Sequence, residues 1–247
     1  MDPKDLNVTR GKLIHQGKAN NVYETDHDEY LELEASDRIS AGNGAKTDVI
    51  SGKGVANNTI SKAIFTKLDE LGVKNHYVCP GSNECSKIVL KTEPILLEVI
   101  GRYFATGSYL KRYPETPDMM PFVPMFIEFT EKDDARNDPP ILAEDVVQQG
   151  ILDGFELDKI QKATRQIGEA LKDFFAQCGG KLIDFKVEFG RLPDGTIILI
   201  DEISPDTCRI LDANTGDVLD KDRFRKDMGN IAEAYTEMMN RVNNMDQ

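Results

Sequence analysis

The sequence predicts a globular protein that mixes helices with strands, built as one large domain or two small ones. Three observations carry that expectation. The chain has 247 residues, 40% of them hydrophobic and 30% charged, enough apolar material for a core beneath a wet surface. Short β-like runs separated by glycine turns fill roughly the first third of the chain. A long stretch of helical periodicity then precedes a strictly alternating segment, LIDFKVEF.

Taken in order, Lys12-Leu13-Ile14 before Gly17 and Val22-Tyr23-Glu24 after it read as a hairpin. Ile60, Ile64, Leu68 and Leu71 recur at helical spacing, and Gly72 follows as a stop. Ile88-Val89-Leu90 reads as a buried strand running into Lys91-Thr92-Glu93-Pro94, where the proline removes a backbone donor and favours an extended turn. The domain crossover is placed there. Pro114, Pro117, Pro121 and Pro124 predict loop or extended surface rather than helix from Tyr113 to Pro124, and KDDARNDPP, residues 132–140, predicts a second loop, with a strand from Met125 to Phe129 between them. From Leu157, the spacing of Ile160, Ile167, Leu171, Phe174 and Cys178 marks an amphipathic helix that Gly179 and Gly180 end.

Charge narrows the function. With 30 Lys+Arg against 43 Asp+Glu the net charge is -13, which argues against a general nucleic-acid or anionic-membrane binder. Any phosphate chemistry must come from a local basic pocket. The N-terminal stretch MDPKDLNVTRGKLIHQGKAN has no apolar core, and no later run approaches the roughly 18 apolar residues of a spanning helix, so a cytoplasmic protein is expected. Cys79, Cys85, Cys178 and Cys208 form no CxxC pair and are expected as free thiols. His15, His27 and His76 lack zinc-hydrolase spacing, and no catalytic role is assigned to them.

Residues 182–189 place Ile183, Phe185, Val187 and Phe189 on one strand face and Asp184, Lys186 and Glu188 on the other. Asp194-Gly195 is a favoured two-residue hairpin turn, and TIILI is a β-rich return strand. With that turn, Pro193 faces Thr196 and Glu188 faces Asp201. Carboxylates about 5 Å apart repel by about 3 kcal/mol at an effective dielectric near 20, whereas favourable cross-strand pairs contribute about 0.2 to 1 kcal/mol. A divalent cation between the two would turn that cost into a binding site, and two carboxylates plus water and phosphate oxygens suit Mg²⁺. Lys186 shares the face and could touch a phosphoryl group. A one-residue slip in register would send Asp201 to the opposite face.

Two further segments bear on phosphate. Gln16-Gly17-Lys18-Ala19-Asn20 is a glycine turn followed by a lysine, without P-loop spacing. RYFATGSYLKR, from Arg102 to Arg112, sets cations and Ser108 around a glycine; read alone, it is more easily a solvated basic surface than a phosphate site.

The segments GKANNVYET, SDRISAGNGAK, GKGVANN, EVIGRYFATGSYLKR, KDDARNDP, LIDFKVEFG, IDEISPDTCR and LDKDRFR, in this order, closely resemble the SAICAR synthetase (phosphoribosylaminoimidazole-succinocarboxamide synthase) family, from about residue 11 to 226. The resemblance implies an ATP-dependent ligase of purine biosynthesis, joining L-aspartate to the carboxylate of carboxyaminoimidazole ribonucleotide with release of ADP and phosphate. It implies an α+β, ATP-grasp-like fold of two domains, a smaller N-terminal β-rich nucleotide-binding one over residues 1–93 and a larger C-terminal catalytic one over 94–247, with ATP in the cleft between. It further implies an ATP site at Gly17, Lys18, Ala19, Asn20, Val22, Lys91, Glu93 and Lys132. Glu188 and Asp201 match the family's magnesium carboxylates, with Asp184 and Lys186 as the polar residues beside them. Arg102, Ser108 and Arg209 would hold the phosphoribosyl end of the substrate, with Asp206, Lys221 and Arg225 nearby.

The implied chemistry accounts for these residue types. A carboxylate becomes an electrophile most simply as an acyl phosphate made from the γ-phosphoryl of ATP, with Mg²⁺ and lysines neutralising charge. The amine of aspartate must then attack unprotonated, and Asp184 is a candidate base. Attack before phosphorylation stays open, as does a homodimer. Two rivals also stay open: a carboxylate-amine ligase with another acceptor, and a non-catalytic nucleotide-binding module. One departure is notable. Many family members read Gly-Lys-Ala-Lys where this chain has Asn20, so either ATP binding is weaker here, the outcome expected, or a lysine from elsewhere has taken over the role, with Lys46 and Lys53 the nearest candidates in sequence.

Overall fold

The computed structural model describes residues 7–42 and 44–245. The reading of the extreme N-terminus and of Asn43 within SDRISAGNGAK therefore falls outside the described residues. The chain starts with β1 (Arg10–Gln16), β2 (Asn20–Thr25), β3 (Tyr30–Ala35) and a small pair, β4 (Arg38–Ala41) with β5 (Lys46–Val49). Helix α1 (Lys53–Glu70) leads into β6 (Tyr77–Pro80) and β7 (Ser86–Leu90). These close a five-stranded antiparallel sheet in the order β1-β2-β3-β7-β6.

The second sheet starts at β8 (Glu93–Phe104). Helix α2 (Ser108–Arg112), β9 (Pro121–Glu131), β10 (Pro140–Ile141), α3 (Ala143–Gln148) and α4 (Gly154–Gln177) follow, then β11 (Gly180–Arg191), β12 (Ile197–Ile200) and β13 (Cys208–Asp212). Its order is β10-β9-β8-β11-β12, with β13 also on β11. Short α5 (Asp222–Arg225) and α6 (Ile231–Asn243) end the described chain.

The first hairpin, the α1 stripe and the α4 stripe form as the sequence predicts. Asp153 caps α4 through a reciprocal capping box with Glu156, which starts the helix three residues ahead of Leu157. One face of the second sheet, through Leu97, Val99, Phe185, Val187 and Phe189, packs against Ile160, Ile167 and Leu171 of α4. Ile60, Ile64 and Leu68 of α1 belong to the same apolar cluster, so the core continues beneath both sheets. The predicted Tyr113–Pro124 stretch is turn and coil from 113 to 120 and extended surface from Pro121, without helix. Strand β9 starts at Pro121 and includes Pro124; β10 pairs only with Phe129 and Thr130, leaving the front of β9 as an edge where missing N–H donors cost little.

An ion cluster ties the first sheet. Arg10 reaches Glu32 at 2.9 Å and Glu34 at 2.8 Å, its guanidinium stacked 4.1 Å over the Tyr23 ring. Burial alone would raise both carboxyls, but hydrogen bonds, from Arg10, Ser86 and Ser82 to Glu32 and from Asn83, Arg10 and Tyr23 to Glu34, bring each down to about 2. Folded values below the unfolded 4.5 mean that this stabilisation is present above about pH 4.5 and is lost as pH falls towards about 2. The stability gap between wild type and Arg10→Gln should therefore be widest near neutral pH and close by about pH 2. Urea midpoints across that range test it, and a gap independent of pH would exclude the ion cluster as its origin.

Candidate active site

Between the two sheets lies a cavity of about 820 Å³. Val22, Leu31 and Leu33 of the first sheet, with Val89, Leu90 and Ile200, give it an apolar wall. The β1–β2 turn, Gly17, Lys18, Ala19 and Asn20, lies along its edge, closed by a bond from Gly17 N–H to the Asn20 carbonyl. Lys18 reaches Asp134 on the opposite side at 2.6 Å. At the crossover, Leu90, Thr92 and Pro94 line the cavity, whereas Lys91 and Glu93 are exposed and are not among its lining residues.

The polar face of β11 is not a solvated surface. Asp184 and Glu188 are 4% and 3% exposed, because that face forms the cavity floor while the other packs on α4. The hairpin register differs by one residue from the expected one. Glu188 pairs with Ile200, and the loop has three residues, Pro193, Asp194 and Gly195, flanked by Leu192 and Thr196. The physical reason is proline. A two-residue loop would need a donor at Pro193, whereas Leu192 donates to the Thr196 carbonyl at 2.9 Å. Gly195, at φ 82, supplies the left-handed position of a three-residue loop, and the Asp194 carboxylate accepts from Thr196 N–H.

Asp201 nonetheless meets Glu188. It follows the last residue of β12 with φ 67, a left-handed conformation, and its carboxylate returns to the cavity. Lys186 Nζ lies 2.6 Å from Glu188, 3.2 Å from Asp201 and 3.3 Å from Glu98. The residue directly opposite Glu188 on β8 is Glu98, a third carboxylate the sequence reading did not find. Lys132 also reaches Glu188, at 2.5 Å.

Burial would raise the Glu188 carboxyl, but Lys186 and Lys132 pull it below the usual range. Burial and then the charge of Glu188 push Asp201 up. Lys186 would be lowered by burial, yet Glu188, Asp201 and Glu98 hold it well above the ordinary lysine value. An anionic pair in which one member is forced towards protonation is a donor set that a divalent cation would relieve, so Glu188 and Asp201 fit Mg²⁺.

A smaller cavity of about 180 Å³ adjoins the first and shares Lys186, Asp206, Thr207 and Arg225 with it. Arg102 lies in it, but it is 1% exposed rather than part of a solvated surface. Its guanidinium bonds Asp184 at 2.6 Å, Ser108 Oγ at 2.8 Å and Glu128, so all three nitrogens are engaged. Arg209 bonds the same Asp184 at 2.7 Å and Asp222 at 3.1 Å, and its terminal nitrogen packs over Gly107, where a Cβ would come within 2.6 Å. The smaller cavity is thus walled by three guanidiniums, those of Arg102, Arg209 and Arg225, and by the hydroxyl residues Ser108 and Thr207, with Glu128, Asp184 and Asp222 orienting the arginines.

Of the four lysines on the larger wall, Lys221 alone pairs with no carboxylate among the described residues. Burial lowers it. Both lysines named as candidates to replace the charge missing at Asn20 are engaged elsewhere. Lys46 bonds Asp227 and the Phe224 carbonyl, and Lys53 is buried against Asp206. Asn20 Nδ2 instead donates to Glu202 at 3.4 Å. The four cysteines are free, as expected, while His15 and His76 both line the larger cavity.

Fold and site define a two-sheet α+β protein whose two cavities meet at a wall carrying Lys186 and Arg225. A family model described as SAICAR synthetase matches residues 13–242. The chain is 44% identical to a phosphoribosylaminoimidazole-succinocarboxamide synthase of Clostridium acetobutylicum, over 95% of this chain and 99% of that one, and 42% identical to one of Clostridium botulinum, over 94% and 97%. Among solved structures, that of the same synthase from Ehrlichia chaffeensis superposes with a TM-score of 0.90 at 36% identity, covering 94% of this chain and 98% of the other. A SAICAR synthetase in complex with ADP gives 0.88 at 37%, covering 92% and 96%. The chain belongs to the SAICAR synthetase family.

Proposed function

We infer that the two joined cavities work as one ligase site. The activity is that of a phosphoribosylaminoimidazole-succinocarboxamide synthase, an ATP-dependent carbon–nitrogen ligation in purine biosynthesis. In it, L-aspartate is joined to the carboxylate of carboxyaminoimidazole ribonucleotide, and ATP becomes ADP and phosphate. The observation that carries the assignment to this site is the shared wall, Lys186, Asp206, Thr207 and Arg225. ATP in the larger cavity would set its purine against Val22, Leu31, Leu33 and Val89, with the phosphates towards the β1–β2 turn and Lys132. The phosphoribosyl end would enter the smaller cavity at Ser108 and Arg209, bringing the acceptor carboxylate to the shared wall.

An oxygen of that carboxylate attacks the γ-phosphorus as the bond to the β-bridging oxygen breaks, giving an acyl phosphate and ADP. The aspartate amine then attacks the acyl carbon, the C–N bond forms, and phosphate leaves as the nitrogen loses its proton. Glu188 and Asp201 would hold Mg²⁺, which supplies charge neutralisation on the phosphoryl group when bound. Lys186, fixed between carboxylates, presents its ammonium to the transferring group, and Lys132 and Lys221 add positive charge on either side. Asp184 accepts from two guanidiniums, so its part is to orient Arg102 and Arg209 rather than to take a proton from the amine. No helix among the described residues is long and apolar enough to cross a membrane.

ADP release measured with carboxyaminoimidazole ribonucleotide, with and without L-aspartate, tests the proposal. Release that depends on aspartate is expected. Dependence on another amine would reassign the acceptor, and ATP binding without turnover would mark a non-catalytic nucleotide-binding protein.

A further inference from the structure

We propose that Tyr235 and Lys53 are positioning residues for this reaction, holding Asp206 from behind so that its carboxylate accepts an N–H of a bound substrate at the wall shared by the two cavities. The proposal rests on the ligase reading above and assigns parts to two residues outside both cavity linings. Asp206 Oδ1 accepts from the Tyr235 hydroxyl at 2.5 Å, and Oδ2 accepts from Lys53 Nζ at 2.8 Å. Lys53 is the first residue of α1 and Tyr235 lies in the second turn of α6, so two helices from opposite ends of the chain converge on one carboxylate.

The grip is dry. The side chains of Lys53 and Asp206 are 0% and 3% exposed, and Tyr235 is 1% exposed. A buried ion pair with an added phenol does no better for stability than well-packed apolar side chains of the same volume, so stability alone does not account for it. Its place in the fold does. Asp206 is one of the residues lining both cavities, where phosphoryl donor and acceptor carboxylate must meet.

A carboxylate has about four acceptor sites, and the two helices occupy one on each oxygen. The remainder are left for the two cavities that Asp206 lines. Burial would raise the Asp206 carboxyl, but Lys53 and then Lys221 hold it below the usual range, so it is an anion and an acceptor. Lys221 and Tyr235, which both act on Asp206, are themselves flanked by Glu202, Asp220 and Arg225. Both amine-bearing substrates offer a suitable donor: the ammonium of aspartate and the exocyclic amine of the ribonucleotide. ATP phosphates offer none, which gives the proposal its signature.

Tyr235→Phe removes one oxygen and keeps the ring in its packing. We expect KM for either L-aspartate or the ribonucleotide to rise about fivefold or more, as for loss of a hydrogen bond to a charged group, with KM for ATP changing less than about twofold. The substrate that responds identifies the donor. The acid limb of kcat/KM for that substrate should also move to higher pH, because Asp206 has lost a bond that favours its ionised form. Lys53→Met should act on the same substrate if it folds; Tyr235→Phe decides the matter alone if it does not. A fall in melting temperature with all three KM values and the pH profile unchanged would overturn the proposal, leaving the grip as packing. An equal rise in all three would overturn it too. Wild type that releases no ADP in response to aspartate would instead refute the ligase reading on which the proposal stands.

Discussion

Glu188→Gln and Asp201→Asn should each lower Mg²⁺-dependent turnover on the order of 100-fold, the scale of removing one preorganised charge-stabilising group at a transferring centre. The two should differ when no metal is present. Glu188 is the shared partner of Lys186 and Lys132, so Glu188→Gln strips an anion from two ammonium groups and should lower the melting temperature. Asp201 is pushed up by burial and by Glu188, so Asp201→Asn relieves repulsion and should hold or raise it. Scanning calorimetry with and without Mg²⁺, beside turnover against Mg²⁺ concentration, reads both effects. Near wild-type turnover in either variant at moderate Mg²⁺ would remove that residue from the cation site.

The second large effect separates two arginines. Arg209→Ala should raise KM for the ribonucleotide by roughly 10- to 100-fold while leaving KM for ATP near wild type, since a guanidinium on a phosphate monoester contributes about 1.5 to 3 kcal/mol. Arg102→Ala should instead destabilise the fold, by part of the roughly 3 to 5 kcal/mol that an uncompensated buried charge costs, because it leaves buried Glu128 with Arg112 alone and buried Asp184 with Arg209 alone. Arg102→Lys would keep the charge but lose the fork that spans Glu128, Asp184 and Ser108, and should recover only part of that stability. If Arg209→Ala raised KM for both substrates alike, the smaller cavity would not be the phosphoribosyl subsite.

Much of this site was legible in the alternation of residues 182–189, because a strand with period two commits Asp184, Lys186 and Glu188 to one face whatever surrounds it. The pairing of Glu188 with Asp201 was also legible, but by the wrong route. A turn chosen from Asp194-Gly195 ignores the donor that Pro193 lacks, and the φ 67 step at Asp201 that brings its carboxylate back leaves no local mark. Glu98 could be found only once β8 was known to lie beside β11, and Glu128 only once β9 lay beside β8. Tyr235 sits on a helical stripe with Met238 and Val242, where a phenol reads as core; the fold alone shows its hydroxyl meeting a carboxylate 29 residues away in sequence. Lys53 and Lys46 illustrate the opposite error. Nearness in sequence made them candidates for a phosphate charge, and tertiary contacts had already committed both elsewhere.

Exposed turns are ordinarily where chain length drifts most freely, since adding or losing a residue there changes closure entropy by little. The Pro193–Gly195 turn is denied that freedom. Its residue count sets which of two successive side chains, Ile200 or Asp201, stands across from Glu188, so a single-residue insertion or deletion at the surface would be transmitted along β12 as a change of side-chain identity at the proposed cation site. Descent with this chemistry should therefore conserve the length of that turn more strictly than its composition, and any relative with a longer or shorter turn should carry a compensating change between the turn and its metal carboxylate.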